Sequence, residues 1–127
     1  MHSVIEISRN DRRKSLPDVA CNEAEDAFFS VWAAAPGESS ETPDYFICGQ
    51  KISSSGEALG PPVEVLKTDD ILMLPHVLHN PNKNQYLVTY CRAESYFNIR
   101  GVFLNADGTP AGQQFTITDA PEKNTYH

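Results

Sequence analysis

The stretches GQKISSSGEALG (residues 49–60) and GVFLNADGTPAG (residues 101–112) have one shape. Each starts on a glycine, reaches a second glycine seven residues on, and ends on a third four residues later. In the later copy, Asn105-Ala106-Asp107-Gly108-Thr109 has the chemistry of a tight hairpin, with Gly108 free to take positive φ and Asp107 able to bond its own backbone. Ser53-Ser54-Ser55-Gly56 stands in the same place in the earlier copy. Gly49 and Gly101 instead fall inside a strand pattern, where glycine weakens pairing. Their recurrence predicts a bulge or a close backbone approach to the next layer.

Working outward, most of the chain is duplicated. Pro17-Asp18-Val19-Ala20-Cys21-Asn22 matches Pro75-His76-Val77-Leu78-His79-Asn80, and AFFSVWA from Ala27 matches QYLVTYC from Gln85, both 58 residues apart (17 to 75). The offset then drops to 52 (49 to 101), because the loop APGESSETPD is shortened to RAES in the second copy. Surface loops tolerate such insertions. VIEIS (residues 4–8) also matches PVEVL (residues 62–66), and QFTIT (residues 114–118) is the second version of that strand. The pattern reads as one domain over residues 1–127, with an extra strand within residues 3–8, a first repeat over 17–66 and a second over 75–118. Internal repetition at this period decides the fold class.

The repeat settles a local ambiguity. NEAEDAFF, with Asn22 as a cap and Glu25 three residues later, reads on its own as a helix start. Its counterpart NPNKNQYL carries Pro81 and three asparagines and reads as a turn. Two copies of one unit share a backbone, so both are expected to be turns. Each unit then holds four strands: residues 19–21 or 77–79, 28–33 or 86–91, 45–52 or 97–104, and 63–66 or 115–118. Aromatic and β-branched residues fill these runs, and turn formers separate them. FFSVW and YLVTY are apolar on both faces, the mark of layers covered on both sides. The fold class is all-β.

Composition narrows the function. The net charge is −7, with 17 Asp+Glu against 10 Lys+Arg, and the one basic cluster, Arg9, Arg12, Arg13 and Lys14, is interrupted by Asp11. Nucleic-acid backbones reward dense positive stripes, so no nucleic acid is expected as partner. No apolar run approaches the roughly 18 residues of a membrane helix, so no membrane is expected either. MHSVIEISRND lacks a leader pattern, which places the chain as given in the cytoplasm, or outside the cell if a leader has been removed. Cys21, Cys48 and Cys91 are odd in number and lack CxxC spacing, which reads as buried thiols in a reducing compartment and gives no metal site.

The pattern P-x-V-x-x-N, a turn, an aromatic-rich strand ending in Trp or Tyr, and then I-x-G with two further spaced glycines resembles the blades of β-propeller repeats in large bacterial and archaeal surface proteins. The resemblance covers residues 3–127 and implies two four-stranded propeller-like blades per chain. Propellers need about four to eight blades, so the resemblance further implies closure by homo-oligomerisation, with three chains giving six blades or four giving eight. It is similar to small lectins in which two-blade chains trimerise. The extra strand leaves nine candidates where two blades need eight; it either completes a neighbour's blade or marks the chain as a piece of a longer array.

Candidate chemistry is sparse. Trp32 and Tyr90 end the second strand of each unit, and by the resemblance their rings would stack on a sugar while Arg92 and Glu94 supply directed hydrogen bonds. The competing reading is that these rings pack one blade on the next. His76 and His79 have Asp18 and Cys21 at their equivalent places, which favours packed or solvated side chains over a metal or catalytic cluster. Asp69-Asp70 and Glu23/Glu25 could in principle pair for glycoside hydrolysis, but loop carboxylates are usually solvated. No G-x-S-x-G nucleophile motif occurs. The expectation is a non-enzymatic binding module without cofactor, with carbohydrate the leading ligand. A protein-interaction scaffold is the alternative, and a hydrolase comes third.

Overall fold

The computed structural model describes residues 13–37 and 42–118. They form two antiparallel four-stranded meanders. The first sheet runs β1 (Arg13–Asn22), β2 (Ala27–Ala35), β3 (Tyr45–Ser53) and β4 (Val63–Thr68); the second runs β5 (Ile71–Asn80), β6 (Gln85–Ala93), β7 (Phe97–Leu104) and β8 (Phe115–Thr116). Strand order equals chain order in both, so each sheet is built by hairpins alone. The extra strand expected at residues 4–8 lies outside the described residues.

The duplication extends to backbone detail. Asp26 and Asn84 occupy equivalent places before β2 and β6, and both are left-handed, at φ 52° and 48°. Gly56 and Gly108 close the β3–β4 and β7–β8 turns at φ 91° and 92°, as a tight hairpin requires. The first strand of each sheet is longer than the sequence pattern shows, because pairing continues back through Pro17 and Pro75. Each proline sits where the register shifts, between Ser15 and Asp18 in one sheet and between Met73 and His76 in the other. A bulge is where a ladder tolerates a residue with no N–H to donate. The two turns differ more than expected. Glu23–Glu25 makes one turn of 3-10 helix, with the Asn22 side chain accepting from the Glu25 N–H, whereas Pro81 holds the second copy to a plain turn.

The strand glycines lie against rings within their own sheet and not against the next layer's backbone, and the β3–β4 ladder also shifts register beside Gly49, between Ile47 and Cys48. A Cβ on Gly49 would lie 2.4 Å from the Phe29 ring, and one on Gly101 2.7 Å from the Phe115 ring. These phenylalanines are not repeat equivalents. Phe29 corresponds to Leu87 and Phe115 to Val63, so each sheet covers its glycine with one ring supplied from a different strand.

One core joins the sheets, with β5 lying against β1 and β2. Phe29, Val31, Ala33, Ile47 and Val65 enter it from the first sheet, and Leu72, Val77, Tyr86, Val88, Tyr90, Val102 and Leu104 from the second. Burying a large apolar side chain contributes about 1.5–3 kcal/mol. Alternation along a strand fixes which faces meet. In β2 residues 29, 31 and 33 turn inward; in β6 residues 86, 88 and 90 do, and these match 28, 30 and 32 of the first copy. The sheets therefore stack face to back. Equivalent faces do not meet.

The junction is polar at one end. Asn22, fully buried, donates through Nδ2 to Asn84 Oδ1 at 2.9 Å and to the Tyr86 hydroxyl at 3.0 Å. Asn84 Nδ2 donates to Glu25 Oε2 at 2.6 Å, and Lys51 forms an ion pair with the other Glu25 oxygen. The Phe29 and Tyr86 rings stack at 4.8 Å beneath this network. Across the junction, Gly108 presses on Phe29 and Val63 so closely that a Cβ would fall within 3 Å of both.

Candidate functional site

Three of the four residues singled out by sequence converge at one end of the second sheet. Tyr90 and Arg92 share the core-facing side of β6, and register sets Tyr90 opposite Arg100 on β7. The Tyr90 hydroxyl donates to Gln114 Oε1 at 2.6 Å, and the same oxygen accepts from Arg92 Nη1 at 3.2 Å and Arg100 Nε at 3.0 Å. Arg92 also donates through Nε to Asp70 Oδ2 at 2.9 Å and through Nη2 to Thr68 Oγ1 at 3.1 Å. Glu94 Oε1 lies 3.3 Å from Arg92 and 3.6 Å from Arg100. The cluster thus ties the β4–β5 corner to the strands behind it.

Two aspects bear on ligand binding. Tyr90 is only 1% exposed and turns neither ring face to solvent. Burial pushes its phenol pKa up, opposed by its contact with Arg100 and the nearby Arg92 charge. The Arg92 guanidinium is spoken for on every nitrogen, which leaves the exposed Glu94 carboxylate as the accessible polar group of the set.

Trp32 stands apart. It belongs to the side of β2 that faces away from the second sheet, opposite Cys48, and is 6% exposed. Trp32 and Tyr90 are equivalent in the repeat yet lie on different surfaces, one outside the sheet pair and one between. Neither presents a stacking platform.

Sequence reasoning missed Arg100, Gln114 and Thr68, and treated Asp70 as solvated. The alternation shared by Tyr90, Arg92 and Arg100 was the available signal for the first. Gln114 heads the QFTIT segment that the repeat locates, but no pattern shows that its amide reaches Tyr90 on β6. Likewise Glu25 is drawn into the junction: its carboxyl pKa is lowered by the Lys51 hydrogen bond first and the Asn84 amide second.

The histidines and cysteines fall elsewhere. Cys21, Glu23, Ala24, His79 and Pro81 line an open cleft of about 280 Å³. There His79 Nε2 lies 2.9 Å from Asn84 Oδ1, and its ring sits 5.1 Å from that of Tyr86. His76 Nδ1 lies 3.5 Å from Asp18, whose Oδ2 accepts the Val77 N–H across the junction. Among the described residues no three His, Cys, Asp or Glu side chains are placed to hold a metal ion, and no helix is long and apolar enough to cross a membrane. The three thiols form no disulfide with one another. Cys21 is exposed and the other two are half-buried, so the expectation of uniformly buried cysteines fails.

Comparison with protein-family models, with curated proteins and with solved structures finds no match.

Proposed function

We propose that the chain is a non-enzymatic scaffold of propeller type, two blades long, that completes itself with further copies of its own chain. The face-to-back stacking of the two sheets carries this reading. Such a stack ends in two unlike faces, and each is the repeat counterpart of a face already used inside the molecule.

The outer face of the second sheet is the clearer of the two. Leu78 is 67% exposed and Phe103 45%, with Phe97 and Ile99 beside them. Phe103 stacks on Phe115 at 5.4 Å. The first-sheet counterparts of Leu78, Phe97, Ile99 and Phe115 are Ala20, Tyr45, Ile47 and Val63, and all four enter or flank the shared core. Apolar exposure on this scale marks an interaction surface. At the other end Val19 and Phe28 are exposed on the outer face of the first sheet, while Ser30, Trp32, Ala34 and Gln50 on that same face are buried. Their counterparts Val77 and Tyr86 are core residues.

Unlike faces that fit each other generate rings when the rotation closes. Three copies give the six-bladed ring that the resemblance implies. Light scattering tests it: the expected mass is a small multiple of 14.1 kDa, and a stable monomer at micromolar concentration overturns the reading.

A carbohydrate is the ligand class that the resemblance implies for such a ring. Trp32 and Tyr90 offer it no ring face, so Glu94, exposed beside Arg92 and Arg100, is the group left to receive a sugar hydroxyl. Glycan-array binding abolished by Glu94→Gln would locate it there. A clean array beside an intact oligomer leaves the scaffold reading on its own.

A further inference from the structure

The repeat predicts the residues of the contact between copies, and they differ from those inside the chain in one electrostatic respect. Within the chain, Glu25 of the first sheet accepts from Asn84 of the second. Between copies, the second sheet of one chain takes the place of the first, and the first sheet of the next chain takes the place of the second. Shifted by 58 residues (25 to 83, 26 to 84), Glu25 becomes Lys83 and Asn84 becomes Asp26. A neutral amide–carboxylate contact becomes a pair of opposite charges.

We infer that the partner of the outer sheet face is a second copy of this chain, docked in one register by an ion pair between Lys83 of one chain and Asp26 of the next. The inference rests on the scaffold reading above and adds to it the register and the recognition chemistry. Four features of the chain agree with that register. Asp26 shares the left-handed backbone of Asn84, so its carboxylate is carried on the same frame as the amide it replaces. Asp26 and Lys83 are both exposed in the single chain. The stack of Phe29 on Tyr86 translates into Leu87 against Phe28, a half-buried and an exposed apolar side chain. Gly108, pressed on Phe29 and Val63, translates into Gly56 over Leu87 and Phe115; a Cβ on Gly56 meets nothing within 4 Å in the single chain, so that side of the turn is open to receive a neighbour. Exposed charge pairs fix register and partner choice more than they add affinity, and this one rejects a flipped arrangement, which would bring Lys83 to Lys83.

The test exchanges each residue for its own repeat counterpart. Lys83→Glu alone sets two carboxylates against each other and is expected to raise the dissociation constant of the assembly about tenfold, the equivalent of roughly 1.4 kcal/mol. Asp26→Asn keeps a residue that tolerates the left-handed backbone, so it preserves the fold while removing one charge. Lys83→Glu with Asp26→Asn rebuilds the Glu–Asn contact found inside the chain, and is expected to recover assembly to within about threefold of the parent. Melting curves of each variant below its dissociation constant confirm that the single chain still folds. The inference is overturned if Lys83→Glu assembles like the parent, or if the double variant stays as weak as the single. In either case an oligomeric parent leaves the scaffold reading standing. A monomeric parent overturns both.

Discussion

The two sheets are copies of one design set in different company. The first sheet buries the side carrying Phe29, Val31 and Ile47, and the second leaves the equivalent side, with Leu87, Ile99 and Phe103, open. Asn22 is enclosed between the sheets while its twin Asn80 is exposed and accepts from the Asn82 N–H within its own turn. For these pairs, position in the stack, not residue type, decides whether a repeated side chain is core or surface. Substituting twins in pairs therefore separates the effect of position from that of residue type.

The largest contrast is expected at residues 29 and 87. Phe29→Ala removes a fully buried ring that stacks on Tyr86 and covers Gly49, and should cost about 3–5 kcal/mol in urea denaturation of the dissociated chain. Leu87→Ala should cost the dissociated chain roughly 1 kcal/mol and instead weaken assembly. Equal losses at the two positions would show that the outer face is already covered within the chain.

Next comes the asparagine pair. Asn22→Ala strips two bonds across the junction and the cap on the Glu25 N–H, leaving the buried Tyr86 hydroxyl without that donor. About 2 kcal/mol is expected, against under about 0.5 kcal/mol for Asn80→Ala. Chemical denaturation monitored by tyrosine and tryptophan fluorescence reads both.

Gly49→Ala forces a methyl into the Phe29 ring and should cost about 1–2 kcal/mol. Phe29→Leu, which installs the second sheet's own residue, should remove most of the added penalty in a double-mutant cycle. Additive effects would mean that the ring is not what excludes a side chain at residue 49.

The smallest effect concerns pH. The Glu25 carboxyl is held below its ordinary range in the folded chain, chiefly by Lys51. A depressed folded-state pKa adds stability that is complete above the unfolded value and disappears as pH falls through the folded one. The denaturation midpoint should drop on acidification through the carboxylate range, and Glu25→Gln should flatten that drop slightly.

Much of the fold was legible because hairpin chemistry is local. Gly56 and Gly108 mark the same corner twice, and the repeat correctly rejected a long helix at Asn22, although the segment still winds one 3-10 turn. The candidate site was less legible. A repeat states which residues are equivalent, not which copy is covered, so only the stacking order shows that Trp32 lies outside the sheet pair and Tyr90 between the sheets. The exchange of Phe29 and Val63 for Leu87 and Phe115 is silent in the sequence for a related reason. Each substitution is an ordinary apolar change on its strand, and only the shared glycine beneath makes them one compensated pair.

Face-to-back order between copies can be read by crosslinking. With Cys21, Cys48 and Cys91 replaced, Phe28→Cys and Leu87→Cys together should let a short thiol-reactive linker join copy to copy into a ladder that ends at a closed ring, while Leu87→Cys alone should give no covalent dimer. Efficient dimerisation through Leu87→Cys alone would mean that like faces meet, and would contradict the account.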